Sequence, residues 1–203
     1  MINGGYDYGY KECECFWGLK PGSLIKRLES TIQDYSSLNI LDLGAGEGKN
    51  SIYFARKGAK VKAVEISKDA IKNGEKLWNS DNLEWINKNI NELEVQSNIY
   101  DVVISYGLAH CMKSQKEVDN LIELMKRTLK KEGIAIFCSF NDGSHDLAGH
   151  PKTFNPLLLS NEYYNNKFKD FEIIYSSDKL LFEKHPHNDI EHHHSLTRII
   201  AKK

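Results

Sequence analysis

Asp42-Leu43-Gly44-Ala45-Gly46-Glu47-Gly48 is the segment whose residue types point most directly to chemistry. Glycines at every second position let a backbone turn sharply and approach a bound molecule without Cβ atoms in the way. The turn follows a short apolar run at 39–43, and a second apolar run closes with Glu65, twenty-one residues after Gly44. A carboxylate in that place can accept hydrogen bonds from the hydroxyls of a ribose. The pattern predicts a nucleoside-bearing ligand, and its spacing narrows the choice. A dinucleotide site needs Gly-x-Gly-x-x-Gly, but the third glycine position is held here by Lys49, which would intrude on close helix–strand packing.

The surrounding elements must hold this turn at one end of a sheet. Strand-like runs at 39–43, 61–66, 83–86, 100–106 and 134–140 alternate with helical spacing at 21–35, 51–57, 67–79 and 114–129. Such alternation predicts a doubly wound α/β fold with a mostly parallel sheet, its ligand outside the carboxyl ends of the strands. After a polar loop, a helix at 161–168 and strands at 171–177, 179–183 and 196–201 predict an antiparallel hairpin at the C-terminal edge. No repeat or low-complexity linker divides the chain, so 1–203 reads as a single domain. Residues 1–19 are rich in Gly and Tyr, show no helical or strand period, and read as an N-terminal lid segment.

Asp-x-Gly-x-Gly-x-Gly after a strand, with an acid closing the next strand, resembles the class I S-adenosylmethionine-dependent methyltransferases. The likeness continues through Tyr100-Asp101-Val102-Val103-Ile104-Ser105-Tyr106, similar to that family's fourth strand, and through 131–137, similar to the approach to its fifth. It implies a seven-stranded sheet and S-adenosyl-L-methionine as cofactor. The residues it assigns to cofactor binding are Asp42, Gly44, Ala45, Gly46, Glu65, Ile66, Asn89, Ile90, Ser105 and Trp17. Where the family carries an acid and an apolar residue against the adenine, this chain has Asn89-Ile90; an amide oxygen can still accept from the adenine amino group. The compact length and C-terminal pattern are similar to small-molecule methyltransferases of the tellurite-resistance and thiol type. The implied acceptor is a thiol, a chalcogen oxyanion or a compact hydroxyl compound. A nucleic-acid or protein methyltransferase, or a non-catalytic cofactor-binding module, are the alternatives.

Candidates for the acceptor side follow the fourth and fifth strands: Tyr106 and His110, then Asn141, Asp142, His145 and His150. His110 is placed to act as a general base, or else to orient the loop before the next helix; Tyr106 would position the acceptor. Tyr6, Tyr8, Tyr10, Phe16 and Trp17 supply aromatics from the N-terminal segment. Cys13 and Cys15 make an incomplete metal site by themselves. Five of the eight histidines fall between His185 and His194. If a strand begins near His192, His192 and His194 share one face and His193 points away, and His185 and His187 could join them in a metal site. The plainer expectation is a solvated hairpin mouth, and no metal is assigned.

With 27 basic and 28 acidic residues the net charge is −1, which argues against a broad nucleic-acid footprint. The fourth-strand end Ser105-Tyr106-Gly107-Leu108 also lacks the Asn/Asp-Pro-Pro-Tyr/Phe motif of base methylation. No apolar run is long enough to span a membrane, and the N-terminus carries no basic start. These features predict a cytoplasmic monomer or homodimer with neither nucleic-acid nor membrane partners.

Overall fold

A computed structural model of the protein describes residues 5–203, the side chains of Ser30, Asn188 and Asp189 apart. Strands β1 (Asn39–Leu43), β2 (Lys60–Glu65), β3 (Leu83–Asn87), β4 (Tyr100–Tyr106), β5 (Leu129–His145), β6 (Glu172–His185) and β7 (Asn188–Lys202) form one sheet. Its order is β3-β2-β1-β4-β5-β7-β6. The first five strands pair in parallel, and β7 runs antiparallel between β5 and β6. The order reverses between β1 and β4, so a crevice opens at the carboxyl end of β1, where the glycine turn sits.

Strand residues alternate between two cores, which is why the parallel strands read as continuous apolar runs. Ile40, Val102, Ile104 and Ile136 face one layer, with Phe54 and Leu24. Leu41, Leu43, Val103 and Phe137 face the other, with Leu121, Met125, Tyr164 and Phe168. Helices α1 (Asp7–Glu12), α2 (Ser23–Arg27), α3 (Lys49–Ala55), α4 (Lys68–Leu77), α5 (Gln115–Thr128) and α6 (Asn161–Lys167) complete the fold. Three of them begin at serine caps: Ser67, Ser114 and Ser160 accept from the backbone N–H groups of Ala70, Glu117 and Tyr163.

Several elements differ from their expected limits. The first helical segment ends in a short 3₁₀ turn at Leu28–Ser30, and Asp34 then accepts from the Ser36 backbone and hydroxyl. That local turn replaces further helix. The expected break between 177 and 179 is absent because Asp178 is accommodated inside β6, its carboxylate accepting from Asn141 Nδ2 at 2.7 Å and Ser195 Oγ at 3.3 Å. Strands β5 and β7 both outrun their apolar cores because they pair with each other as far as His145 and His194. The N-terminal segment is not aperiodic: it contains α1, and Tyr6, Tyr10 and Phe16 are buried in the main core.

Trp85 of β3 packs against the backbone of two other elements. A Cβ on Gly48 or on Gly74 would lie 2.4 Å from the Trp85 ring, and one on Gly74 would also lie 3.0 Å from the Glu47 carbonyl oxygen. Gly74→Ala inside α4, a change that ordinarily stabilises a helix by about 1 kcal/mol, should here destabilise the protein by roughly 1–3 kcal/mol through overpacking. Chemical denaturation of Gly74→Ala, Trp85→Leu and the double variant checks this. The penalty of Gly74→Ala should shrink when the ring is gone.

Candidate active site

The turn after β1 is built from left-handed backbone. Gly44, Gly46 and Gly48 have φ of +72°, +56° and +78°, where side chains other than hydrogen are strained. A Cβ on Gly44 would meet the Leu108 side chain at 2.8 Å, and one on Gly46 would meet the Tyr10 hydroxyl at 3.2 Å. The backbone N–H groups of Gly44 and Ala45 donate to the Val64 carbonyl at 2.9 and 3.1 Å, joining the turn to the end of β2. There the buried Glu65 carboxylate accepts three backbone N–H groups, Gly46 on Oε2 and Ile66 and Ser67 on Oε1, each at 2.9 Å. Burial raises its pKa, and those three bonds oppose the rise.

A cavity of about 400 Å³ opens above this turn. Of the ten residues assigned to the cofactor together with Tyr106 and His110, ten line it: Trp17, Gly44, Ala45, Gly46, Glu65, Ile66, Asn89, Ile90, Tyr106 and His110. Asp42 and Ser105 do not. They are the penultimate residues of β1 and β4 and are buried. Asp42 Oδ2 accepts from the Ser51 hydroxyl at 2.7 Å. Its Oδ1 has no hydrogen-bond partner among the described residues, and burial pushes its pKa up to about 7.

The N-terminal segment closes the cavity from above. The Trp17 indole N–H donates to the Tyr10 hydroxyl at 2.8 Å, and Lys49 Nζ donates to the Trp17 carbonyl at 3.0 Å. Asn73, on α4, donates to the Tyr10 carbonyl at 2.7 Å and to Glu47 Oε1 at 3.1 Å. Composition did not single out Tyr10, Glu47 or Asn73 as a set; the one available signal was Glu47 lying between two turn glycines. Tyr8 and Asp142, expected near the acceptor, are exposed.

The far end of the cavity is bounded by Tyr106, His110, His150, Glu183 and His185. His110 stacks on Phe140 with ring centroids 3.9 Å apart, and its Nδ1 accepts the Phe140 backbone N–H at 3.1 Å. Its proton therefore sits on Nε2, and burial, with smaller contributions from neighbouring histidines, depresses its pKa to about 3. This arrangement makes His110 a neutral hydrogen-bond donor and removes the lone pair a general base would use. Burial holds the Tyr106 phenol well above its ordinary pKa, so it too stays protonated.

Residues 40–133, which hold the turn, Glu65 and Asn89, match a family described as methyltransferase domain. Over that stretch, a little under half of its length, the chain is similar to a methyltransferase domain. Over 127 residues it is 31% identical to the ubiquinone biosynthesis O-methyltransferase of Rickettsia prowazekii, a match covering 58% of this chain and 46% of that one. The chain thus spans about half the length of the curated relatives it matches. Among solved structures, TehB from Haemophilus influenzae has the same fold, with a TM-score of 0.70 at 20% identity over 90% of this chain and 62% of that one. So does the 1,6-didemethyltoxoflavin-N1-methyltransferase of Burkholderia thailandensis, solved with S-adenosylhomocysteine: TM-score 0.58, 16% identity, 86% of this chain and 76% of that one.

The residues present fit the methyltransferase cofactor. The cavity lies within the usual range for small-molecule sites, Gly46 leaves space beneath Trp17 and Tyr10 that a side chain would fill, and Glu65 and Asn89 line it with oxygen acceptors. A further consequence concerns Asp42. Because its folded-state pKa is raised, it contributes stability that is fully present below the ordinary carboxylate pKa and lost as pH rises through about 7. Asp42→Asn should therefore gain stability over the parent by about 1–3 kcal/mol between pH 4 and pH 8. Denaturation midpoints measured across that range check both sign and window.

Proposed function

We propose that the chain transfers a methyl group from S-adenosylmethionine to a small-molecule acceptor, a thiol, a chalcogen oxyanion or a compact hydroxyl compound. One observation carries the reading: a single cavity joins the glycine turn, Glu65 and Asn89 at one end to Tyr106, His110, His150 and Glu183 at the other. The bound cofactor supplies an electrophilic methyl group on a sulfonium, open to in-line displacement. Glu65 has roughly four acceptor positions, three of them taken by backbone N–H groups, so one remains for a ribose hydroxyl. Asn89 Oδ1 already accepts from the Asn91 backbone N–H at 3.0 Å and keeps a second lone pair for an adenine amino group. Trp17 and Tyr10 cover the site and keep water from it.

At the acceptor end, residues act by position. His110 Nε2–H and the Tyr106 hydroxyl present donors that would hold an acceptor's oxygen or sulfur in line with the methyl group, the arrangement from which such a displacement draws most of its acceleration. Relatives named as O-methyltransferases support a hydroxyl acceptor, and the −1 net charge favours a small molecule over a nucleic acid.

Calorimetric titration with S-adenosylhomocysteine should show micromolar binding that Glu65→Ala weakens by roughly 1.5–3 kcal/mol. Unchanged affinity would remove Glu65 from the cofactor site. A screen of small thiols, oxyanions, phenols and amines, read by release of demethylated cofactor, should find turnover; activity confined to RNA or protein would overturn the reading. His110→Ala should lower kcat by about 10-fold while leaving the pH profile between pH 5 and 8 unchanged. A loss of about 100-fold or more, with a histidine limb removed from the profile, would instead make His110 a general base.

A further inference from the structure

The histidine-rich stretch is not a solvated hairpin mouth. His185, His192 and His194 are buried because β6, β7 and the end of β5 pair side by side there, with Glu183 opposite His192, Leu181 opposite His194, and His145 opposite His194. His192 and His194 share one face, as alternation along a strand requires. His193 lies on the other face, its Nε2 2.9 Å from the Ser144 hydroxyl. His150 joins the cluster from the loop after β5. His150 Nε2 is 2.8 Å from His194 Nε2, and His185 Nε2 is 3.2 Å from His192 Nε2. Glu183 Oε1 stands 3.9 Å from both His185 Nε2 and His194 Nε2. Tetrahedral bonds of about 2.1 Å to one ion place ligand atoms about 3.4 Å apart, in the middle of these separations.

The outer ring atoms fix which way the lone pairs point. His192 Nδ1 lies 2.8 Å from the Ile190 carbonyl oxygen, a contact only an N–H can make, so its Nε2 carries the lone pair. His145 Nε2 likewise donates to the Asn141 carbonyl at 2.7 Å, which leaves His145 Nδ1 to accept from His194 Nδ1–H at 3.3 Å. His194 Nε2 is then a bare acceptor facing inward. On the third ring, His150 Nδ1 is 2.8 Å from the Tyr6 hydroxyl. A carbonyl, a hydroxyl and the His145 ring hold the outer nitrogens of His192, His150 and His194 while the inner ones converge, which is the second-shell pattern of metal-ligating histidine. Imidazoles with one carboxylate suit zinc, nickel, copper or iron, and not magnesium or calcium.

We propose that His150, His192 and His194 form a site for one divalent transition-metal ion in the wall of the cofactor cavity, with Glu183 and His185 forming a second triad around the shared His192. Two overlapping triads, His150-His192-His194 and Glu183-His185-His192, each have ligand atoms within 4.8 Å of one another. His150, Glu183 and His185 also line the cavity, so the ion borders its acceptor end. There it would bind a thiol or hydroxyl group and lower its pKa, so that the proton leaves to solvent before methyl transfer. That role rests on the methyl-transfer reading; the site itself does not.

The test titrates the full-length, chelator-treated protein with Co²⁺ and Zn²⁺, following cobalt d–d absorption, metal content after dialysis, and melting temperature. One equivalent should bind and raise the melting temperature, with Mg²⁺ doing neither. His192→Gln/His194→Gln should lose the cobalt spectrum, whereas His193→Gln, on the opposite face of the same strand, should retain it. Should the double variant fail to fold, the spectrum and melting shift of the parent protein still decide. No bound metal in the parent, or retention of the full cobalt spectrum by a folded double variant, overturns the site, whatever the protein methylates. One bound equivalent with turnover unaffected by its removal keeps the site and overturns the acceptor role. Metal binding without cofactor binding would show that the methyl-transfer reading has failed on its own.

Discussion

The carboxylate of Glu65 ends β2 and accepts a backbone N–H from the glycine turn and two from its own following residues. With the Val64 carbonyl accepting from Gly44 and Ala45, it ties two adjacent strand ends into one rigid shelf. The shelf depends on alternate left-handed glycines, since other residues would be strained at those φ values and would strike Leu108 or the Tyr10 hydroxyl. What lies around it follows. Asp42 and Ser105 are buried, where one carboxylate oxygen and one hydroxyl have no hydrogen-bond partner among the described residues. Tyr10 and Trp17 close over the top, held through Asn73 and Lys49.

Electrostatics in this pocket are set by burial more than by pairing. Asp42, Glu47, Glu65 and Glu183 are all shifted toward the protonated form, with burial as the largest cause in each. His110, His150, His185 and His194 are shifted the other way for the same reason, to about 3, 4, 3 and 2. The histidines of the wall facing the acceptor are thus neutral donors and acceptors near neutral pH. Such a wall suits holding and orienting a nucleophile better than taking its proton.

The two ends of the chain meet at that wall. The Phe16 ring stacks on His187 with centroids 3.7 Å apart, Trp17 meets His185 edge-on at 5.0 Å, and Tyr6 reaches His150. The segment expected as a lid and the C-terminal hairpin are therefore one continuous surface. These contacts join elements more than a hundred residues apart in sequence.

The cofactor end of the site was legible in the sequence because its determinants are local. The turn glycines, the acid closing the second strand, and the residues after the third strand lie at spacings that strand and helix periodicity dictate, and of the ten residues assigned to the cofactor together with Tyr106 and His110, ten do meet at one cavity. Asp42 and Ser105 lie buried outside that lining, because strand register, not residue type, decides whether a polar side chain at a strand end faces a cavity or the interior. The hidden helix at Asp7–Glu12 is stabilised by burying Tyr10 against the core, a tertiary effect that a short, Gly-containing segment does not announce. Most of all, the histidines at the C-terminus read as a polar run. Only the pairing of β5, β7 and β6, with His145 opposite His194 and Glu183 opposite His192, turns them inward. Sequence determined where the cofactor shelf would form, because backbone conformation is encoded nearby. Tertiary structure alone decided what stands across from it, because burial and convergence of side chains depend on the pairing of strands distant in the chain.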